Sequence, residues 1–209
     1  MTASPEAMTV GTPAIVLASA SASRAKLLAA AGLAIEQRPA AVDEAGLRDT
    51  LRADGASAEE AAMALAELKA EAISECAPGA LVIGADQILE ADGRWFEKPD
   101  SRERARDELC TLSGREHRLA TAVCVLRDGI RLWGFAQSPR LEMRKLSDEF
   151  LDAYLDRVGD AAFTSVGAYQ LEGAGAQLFE RIDGDFFTIL GLPLLPLLDF
   201  LRAQGALQS

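Results

Sequence analysis

Residues 82–90 read VIGADQILE, an apolar run with β-branched members interrupted by a single acid, Asp86. A short apolar run of this kind is a strand buried on both faces, which places it inside a covered sheet. A carboxylate there loses its hydration unless a cation, a metal ion or a hydrogen-bond donor meets it. Asp86 is therefore either satisfied structurally or used chemically, and buried acids with specific charge partners are enriched in functional sites.

The chain is long enough to bury such a strand: 209 residues fit one domain or a two-lobed α/β unit. Twenty-one basic against 32 acidic residues leave a net charge of −11, which argues against sequence-independent binding to DNA or RNA. A small anionic ligand needs only a local cluster of cations and stays open. Trp95, Trp133 and the few other aromatics form no stacking ladder for single-stranded nucleic acid. Cys76, Cys110 and Cys124 are odd in number and widely spaced, so they read as reduced thiols in the core of a cytoplasmic protein. Residues 1–12 lack the basic and apolar blocks of a signal peptide and are expected to be a disordered leader. The apolar stretch 186–198 is interrupted by Pro193 and Pro196 and is too broken to span a bilayer.

The spacing predicts a strand over 14–19 and a helix over 23–31 stopped by Gly32. Ser57 with Glu60 is a capping box opening a helix that runs to about Cys76. The Asp86 strand covers 81–90, and Asp92-Gly93 turns it towards Trp95 and Phe96. Asp100 with Glu103 caps a further helix that has Ala105, Leu109 and Leu112 inside and Gly114 after its end. Asp128-Gly129 joins 119–126 to 130–135 as a hairpin. Leu141 and Met143 lie on a half-exposed strand, Ser147 caps a helix closed by Gly159, and Pro193 sits in the first turn of the last helix. Strands interleave with helices but include hairpins, so the expected fold is α/β with a mixed sheet.

Several segments carry possible chemistry. Residues 18–26 (ASASASRAK) form a small-residue loop entering a helix, where backbone N–H groups and the helix dipole favour an anion. Arg24 opposes that dipole unless a phosphate is bound; the alternative is a Ser-capped helix with an exposed arginine. Lys69 falls within the apolar stripe of Leu65, Leu68, Ala72, Ile73 and Cys76, and either snorkels past its edge or points into a cleft beside the core. Lys98 before Pro99 is held extended and by itself is a surface lysine. Asp43-Glu44 is an acidic pair in a loop by local criteria. His117, the lone histidine, permits no multi-histidine metal site and is read as structural.

Taken in order, these segments resemble the Maf family of nucleoside triphosphate pyrophosphatases. The matching blocks are LASASASRAKLL at 17–28, VDE at 42–44, LKA at 68–70, GADQ at 84–87, EKP at 97–99, LSGREH at 112–117, GAY at 167–169, ERIDGD at 180–185 and GLP at 191–193. The resemblance implies a long mixed β-sheet flanked by helices, one domain over 13–209 with a cleft between two lobes, and hydrolysis of a nucleoside triphosphate to monophosphate and pyrophosphate. It implies a divalent cation, Mg²⁺ or Mn²⁺, and a homodimer. Carried over residue by residue, Ser19 and Arg24 bind phosphates, Glu44, Lys69 and Lys98 surround the reacting centre, and Asp86 accepts a proton. Glu44 and Asp86 are the candidate metal ligands, and base and ligand roles for Asp86 stay open. A second reading, a nucleotide-responsive interaction protein in cell division, also attaches to the family.

Five positions in four segments depart from the family pattern. Ala22-Ser23-Arg24 replaces Pro-Arg-Arg, Gln87 replaces a threonine, Glu172 replaces a glutamine and Ser165 replaces a lysine. Ser23, Gln87 and Glu172 are the candidate specificity residues. The Gln87 and Glu172 pair resembles the branch acting on 7-methyl-GTP, since a carboxylate suits a purine N–H edge or a cationic methylated base better than uracil or thymine.

Overall fold

The computed structural model describes residues 13–208. The expected leader at 1–12 lies outside them. In chain order the elements are β1 (Ile15–Leu17), α1 (Ala22–Ala30), β2 (Ile35–Gln37), α2 (Glu44–Ala53), α3 (Ala58–Ser74), β3 (Leu81–Ala91), β4 (Arg94–Phe96) and α4 (Arg102–Leu112). Then follow β5 (Glu116–Arg127), β6 (Ile130–Gln137), β7 (Arg140–Met143), α5 (Asp148–Val158), three 3₁₀ turns, β8 (Phe179–Asp183), α6 (Phe186–Ile189) and α7 (Leu194–Ala203). All eight strands join one mixed sheet with the path β2-β1-β3-β5-β7-β8, with β4 added on β3 and β6 on β5. The expected mixed α/β architecture is what forms.

The spine is the antiparallel pair of β3 and β5, in register from Val82↔Leu126 to Glu90↔Arg118. On the other edge of β3, β1 runs parallel against Leu81–Ile83 and β4 runs antiparallel against Leu89–Ala91. Neither strand covers the stretch from Gly84 to Ile88. That notch in the sheet edge lies at the carboxyl end of β1, where parallel strands present their ligands.

Period-2 alternation sends Val82, Gly84, Asp86 and Ile88 to the face covered by α3. The opposite face packs Leu81, Ile83 and Ala85 against α1 and α7 through Leu28, Leu194, Leu197 and Leu201. The buried stripe of α3 is Ala61, Ala62, Leu65, Ala66, Lys69 and Ala70. This is an alanine seam, and the expected stripe of Leu68, Ala72, Ile73 and Cys76 is only its rim. Small side chains let helix and strand approach until a Cβ placed on Gly84 would lie 2.0 Å from the Ala66 carbonyl oxygen. Lys69 runs back along its helix from this contact towards Asp86, because helical side chains lean to the N-terminus.

The capping box at Ser57 forms in both directions, with Ser57 Oγ accepting from Glu60 N and Glu60 Oε2 accepting from Ser57 N. Ser147 caps α5, and the Asp128-Gly129 hairpin joins β5 to β6. Other boundaries differ from expectation. Ser101 caps α4, while Asp100 turns aside to pair with Arg104. Pro193 is the N-cap of α7, one place before its first turn. Asp43-Glu44 is no loop: Asp43 Oδ1 accepts from Gly46 N, and Glu44 begins α2. The short strands β2 and β8 were not expected. Of the three thiols only Cys124 is buried, where burial pushes it up to about 12; Cys76 and Cys110 are exposed.

Candidate active site

The notch in the β3 edge is filled by charge. Lys69, buried on α3, places its Nζ 2.6 Å from Asp86 Oδ1 and 2.7 Å from Glu44 Oε2. Lys69 and Asp86 are 8% exposed, whereas Glu44 is 37% exposed, so the cluster opens to solvent through Glu44. An ammonium has three N–H donors, and one remains for a ligand. Asp86 Oδ2 is buried with no partner. A buried, unanswered carboxylate oxygen is costly, which singles it out as a point where a ligand atom belongs.

Arg24 reaches the same notch from the α1 side. Its Nε donates to the Gly191 carbonyl at 2.8 Å, and its Nη1 to the Ala85 carbonyl at 2.8 Å and to Ser19 Oγ at 3.0 Å. The Ala85 carbonyl is one that the sheet leaves unpaired in the notch. The guanidinium has five N–H donors, so the two on Nη2 are left for an anion. Burial lowers its pKa, opposed by Asp86 and Glu44. The exposed-arginine alternative is thereby removed: Arg24 is buried and braced by three backbone or hydroxyl oxygens. Ser19 Oγ also accepts from Ser21 N at 3.2 Å, and Gln37 Nε2 donates to the Ser19 carbonyl at 2.8 Å. The small-residue loop is therefore held from β2 as well as from α1.

Lys98 sits on the exposed turn after β4. Its pKa is lowered first by partial burial, then by Arg24 and Lys69, while Asp86 and Glu44 pull the other way. The structure thus brings Ser19, Arg24, Glu44, Lys69, Asp86 and Lys98 into one electrostatic neighbourhood. Three cations against two carboxylates leave it suited to a polyanion.

The candidate specificity residues are not gathered in this way. Gln87 is next to Asp86 and so faces the opposite side of the sheet. Its Nε2 donates to Thr121 Oγ1 at 2.8 Å and to the carbonyls of Thr188 at 3.1 Å and Ile189 at 3.2 Å. Carbonyls only accept, so the amide orientation is set and Oε1 points away from them. Ser23 is half-buried on α1, and Glu172 is exposed in the turn after Tyr169. Ser165, in place of the family's lysine, donates to the Tyr169 carbonyl at 2.6 Å and closes that turn.

Sequence reasoning missed the braces: Gln37, Thr121, Thr188 and the carbonyls of Ala85 and Gly191. Each acts through tertiary contact, and carbonyls carry no sequence signal. The helical placement of Glu44 was findable, since Asp43 is a good N-cap and an acid in the first turn suits the dipole. His117 is structural as expected, 1% exposed, with Nε2 2.8 Å from the Tyr169 hydroxyl.

Among the described residues no helix is long and apolar enough to cross a membrane, and no group of three or more His, Cys, Asp or Glu side chains is set for a metal. Comparison with known proteins gives a consistent picture. A family model described as Maf-like protein matches residues 14–204. A nucleoside triphosphate pyrophosphatase of Granulibacter bethesdensis is 52% identical over 193 residues, covering 92% of this chain and 98% of that protein. One of the same name from Rhodospirillum rubrum is 51% identical over 197 residues, covering 94% and 98%. A 7-methyl-GTP pyrophosphatase of Rhizobium meliloti is 49% identical over 197 residues, covering 94% and 99%.

Proposed function

The chain belongs to the Maf-like family, and from that premise we propose that it is a nucleoside triphosphate pyrophosphatase whose preferred substrate is 7-methyl-GTP or a related purine nucleotide. The observation that carries the reading is the pairing of opposite vacancies in one notch. The Nη2 donors of Arg24 and the third Nζ donor of Lys69 lack protein acceptors, and Asp86 Oδ2 lacks a donor. Phosphate oxygens answer the first, and a water or a cation answers the second.

In this mechanism the triphosphate lies across the notch with Arg24, Ser19 and Lys98 on its non-bridging oxygens. Lys98, whose pKa is lowered by partial burial and by Arg24 and Lys69, is assigned to the leaving pyrophosphate in this reading. Lys69 holds Asp86 in a single rotamer, so that Oδ2 faces the reacting phosphorus. A water bound to Oδ2 gives up its proton there as it attacks, and general-base assistance of this kind contributes about 10²–10⁴-fold. Positioning and charge neutralisation supply much of the rest, as in other phosphoryl transfers. Asp86 Oδ2 and Glu44 also suit Mg²⁺ or Mn²⁺, a hard ion that takes one or two carboxylates and fills its shell with water and phosphate oxygens. Such an ion would neutralise phosphate charge.

Base choice rests on Gln87, Glu172 and Ser23. With its nitrogen committed to Thr121 and the 188–189 turn, Gln87 offers a ligand only an acceptor, and Glu172 is an acceptor as well. Two acceptors suit the N–H donors of a guanine-type edge better than the carbonyl-flanked edge of uracil or thymine. A homodimer and a cytoplasmic location complete the proposal. The test is pyrophosphate release from 7-methyl-GTP, GTP, dTTP and UTP with Mg²⁺ or Mn²⁺. Comparable turnover of dTTP, UTP and 7-methyl-GTP would sink the base assignment, and no monophosphate from any of them would sink the activity.

A further inference from the structure

The segment 185–191, which runs through α6 into the turn before α7, braces two side chains of the site at once. The Thr188 and Ile189 carbonyls accept from Gln87 Nε2 at 3.1 Å and 3.2 Å, and the Gly191 carbonyl accepts from Arg24 Nε at 2.8 Å. The residue assigned to the base and the residue assigned to the phosphates therefore hang on carbonyls of one short turn. These contacts use main-chain atoms, so whatever fixes the backbone of the turn fixes both side chains. Turn and guanidinium are also close-packed, since a Cβ on Gly191 would lie 3.4 Å from Arg24 Nε.

What fixes that backbone is Asp185. The helix α6 spans only Phe186–Ile189, and so short a helix does not hold itself, because the first turn loses more chain entropy than its hydrogen bonds offset. Asp185 is its N-cap, and one oxygen, Oδ2, accepts from both Thr188 N at 2.7 Å and Thr188 Oγ1 at 2.8 Å. Gln137 Oε1 lies 3.4 Å from the same hydroxyl, but a hydroxyl has one proton and the nearer carboxylate takes it. Thr188 is 1% exposed, so solvent does not replace a lost partner. Its carbonyl is the knot of the turn, accepting from Gln87 Nε2, from Thr121 Oγ1 at 3.3 Å and from Gly191 N at 3.0 Å. Gly191, which carries the acceptor for Arg24, is thus bonded back to the carbonyl that holds Gln87.

We propose that Asp185 is a positioning residue for both halves of the substrate, resting on the base and phosphate roles assigned above. Through Thr188 it sets the carbonyls of 188–191, and through them the Gln87 amide at the base and the Arg24 guanidinium at the phosphates. Both of its bonds to Thr188 end on one oxygen, so the role needs an acceptor atom and no charge.

The test compares Asp185→Ala with Asp185→Asn, whose amide oxygen caps a helix equally well. Two quantities are measured: kcat/KM for 7-methyl-GTP against UTP, and calorimetric binding of inorganic tripolyphosphate, which has no base. Asp185→Ala is expected to lower the preference for 7-methyl-GTP, and to weaken tripolyphosphate, each by roughly fivefold, the order of a lost cap. Asp185→Asn restores both. Thr188→Val, which deletes only the hydroxyl, gives the same pattern at smaller size and carries the comparison alone if Asp185→Ala does not fold. In a Gln87→Ala background, Asp185→Ala removes no further base preference yet still weakens tripolyphosphate, because the brace on Arg24 does not pass through Gln87. A merely loosened fold would instead multiply its losses in every background. The proposal is overturned if Asp185→Asn behaves as Asp185→Ala, if the preference losses of Asp185→Ala and Gln87→Ala multiply, or if Asp185→Ala binds tripolyphosphate as the wild type does. Wild-type turnover reports separately on the underlying roles: no pyrophosphate ends the activity, and equal use of the two bases ends the base assignment. The tripolyphosphate comparison decides in either case whether Asp185 acts on Arg24.

Discussion

Two stretches of β3 bury polar groups by opposite means. Around Asp86 the strand meets charge with charge: Lys69 between two carboxylates, and Arg24 seated on backbone carbonyls. Around Leu89, a few residues on, the neighbours are Leu119, Tyr154, Tyr169, Leu178 and the neutral ring of His117. There Tyr169 stands edge-on to Phe179 at 4.8 Å, and the Tyr154 hydroxyl donates to the Ala168 carbonyl at 3.0 Å. Burial pushes the His117 pKa down to about 4, so its ring is uncharged; Nε2 meets the Tyr169 hydroxyl, and Nδ1 is buried without a hydrogen-bond partner. The charged stretch opens to solvent through Glu44, while the aromatic stretch is packed mainly from apolar and aromatic side chains. Stability and chemistry have been separated along a single strand.

The sharpest way to break this contrast is Asp86→Asn. It preserves shape and removes the charge, and pyrophosphate release is expected to fall about 10²–10⁴-fold with the fold intact by circular dichroism. Unchanged turnover would end the assignment of Asp86. Next is Lys69→Met, which leaves Asp86 buried without its cation. A loss of about 3–5 kcal/mol is expected in urea unfolding. Combining it with Asp86→Leu should recover much of that loss, because an apolar pair of similar volume commonly replaces a buried ion pair without penalty. If the double variant is no more stable than the single one, the pair is not the unit described.

The aromatic stretch predicts a pH effect of different origin. The folded-state pKa of His117 is about 4 against an ordinary 6.5, so between those values the unfolded chain binds the proton and the folded one does not. Stability is then full above pH 6.5 and lost as pH falls towards 4, by up to roughly 3 kcal/mol. His117→Gln should flatten that segment of the urea midpoint against pH, and an unaltered slope would assign it elsewhere. The smallest effect is expected at Gly84, where α3 packs on the strand two residues before Asp86. Gly84→Ala overpacks the α3 contact and should cost about 1–3 kcal/mol, with a rise in KM smaller than the fall in kcat if Lys69 and Asp86 are pushed apart.

Much of this was legible beforehand wherever one residue type carries its own signal. An acid in an apolar strand, a lysine on a buried helical face, a capping box and an Asp-Gly hairpin each state a local conflict or preference. The strands β2 and β8 were not legible, because three and five residues that are mostly exposed leave no alternation to read. Nor was the alanine seam of α3, since alanine is a helix former wherever it lies and does not announce which face is inside. Gln87 was recognised by position, but its tie to Thr188 and Ile189 joins residues a hundred positions apart. The braces of the site are long-range, whereas its chemistry is local.

The close approach at Gly84 also works as an index mark. Along the α3-facing side of β3 stand Val82, Gly84, Asp86 and Ile88, and three of the four carry a Cβ. Sliding the strand by two residues either way would drive one of those Cβ atoms into the Ala66 carbonyl, where only 2.0 Å is available. One alignment survives, and it puts the residue two places beyond the glycine under Lys69. A position with no side chain therefore decides which side chain meets the ammonium, and an acid moved to 84 or 88 could not reach that place by slippage.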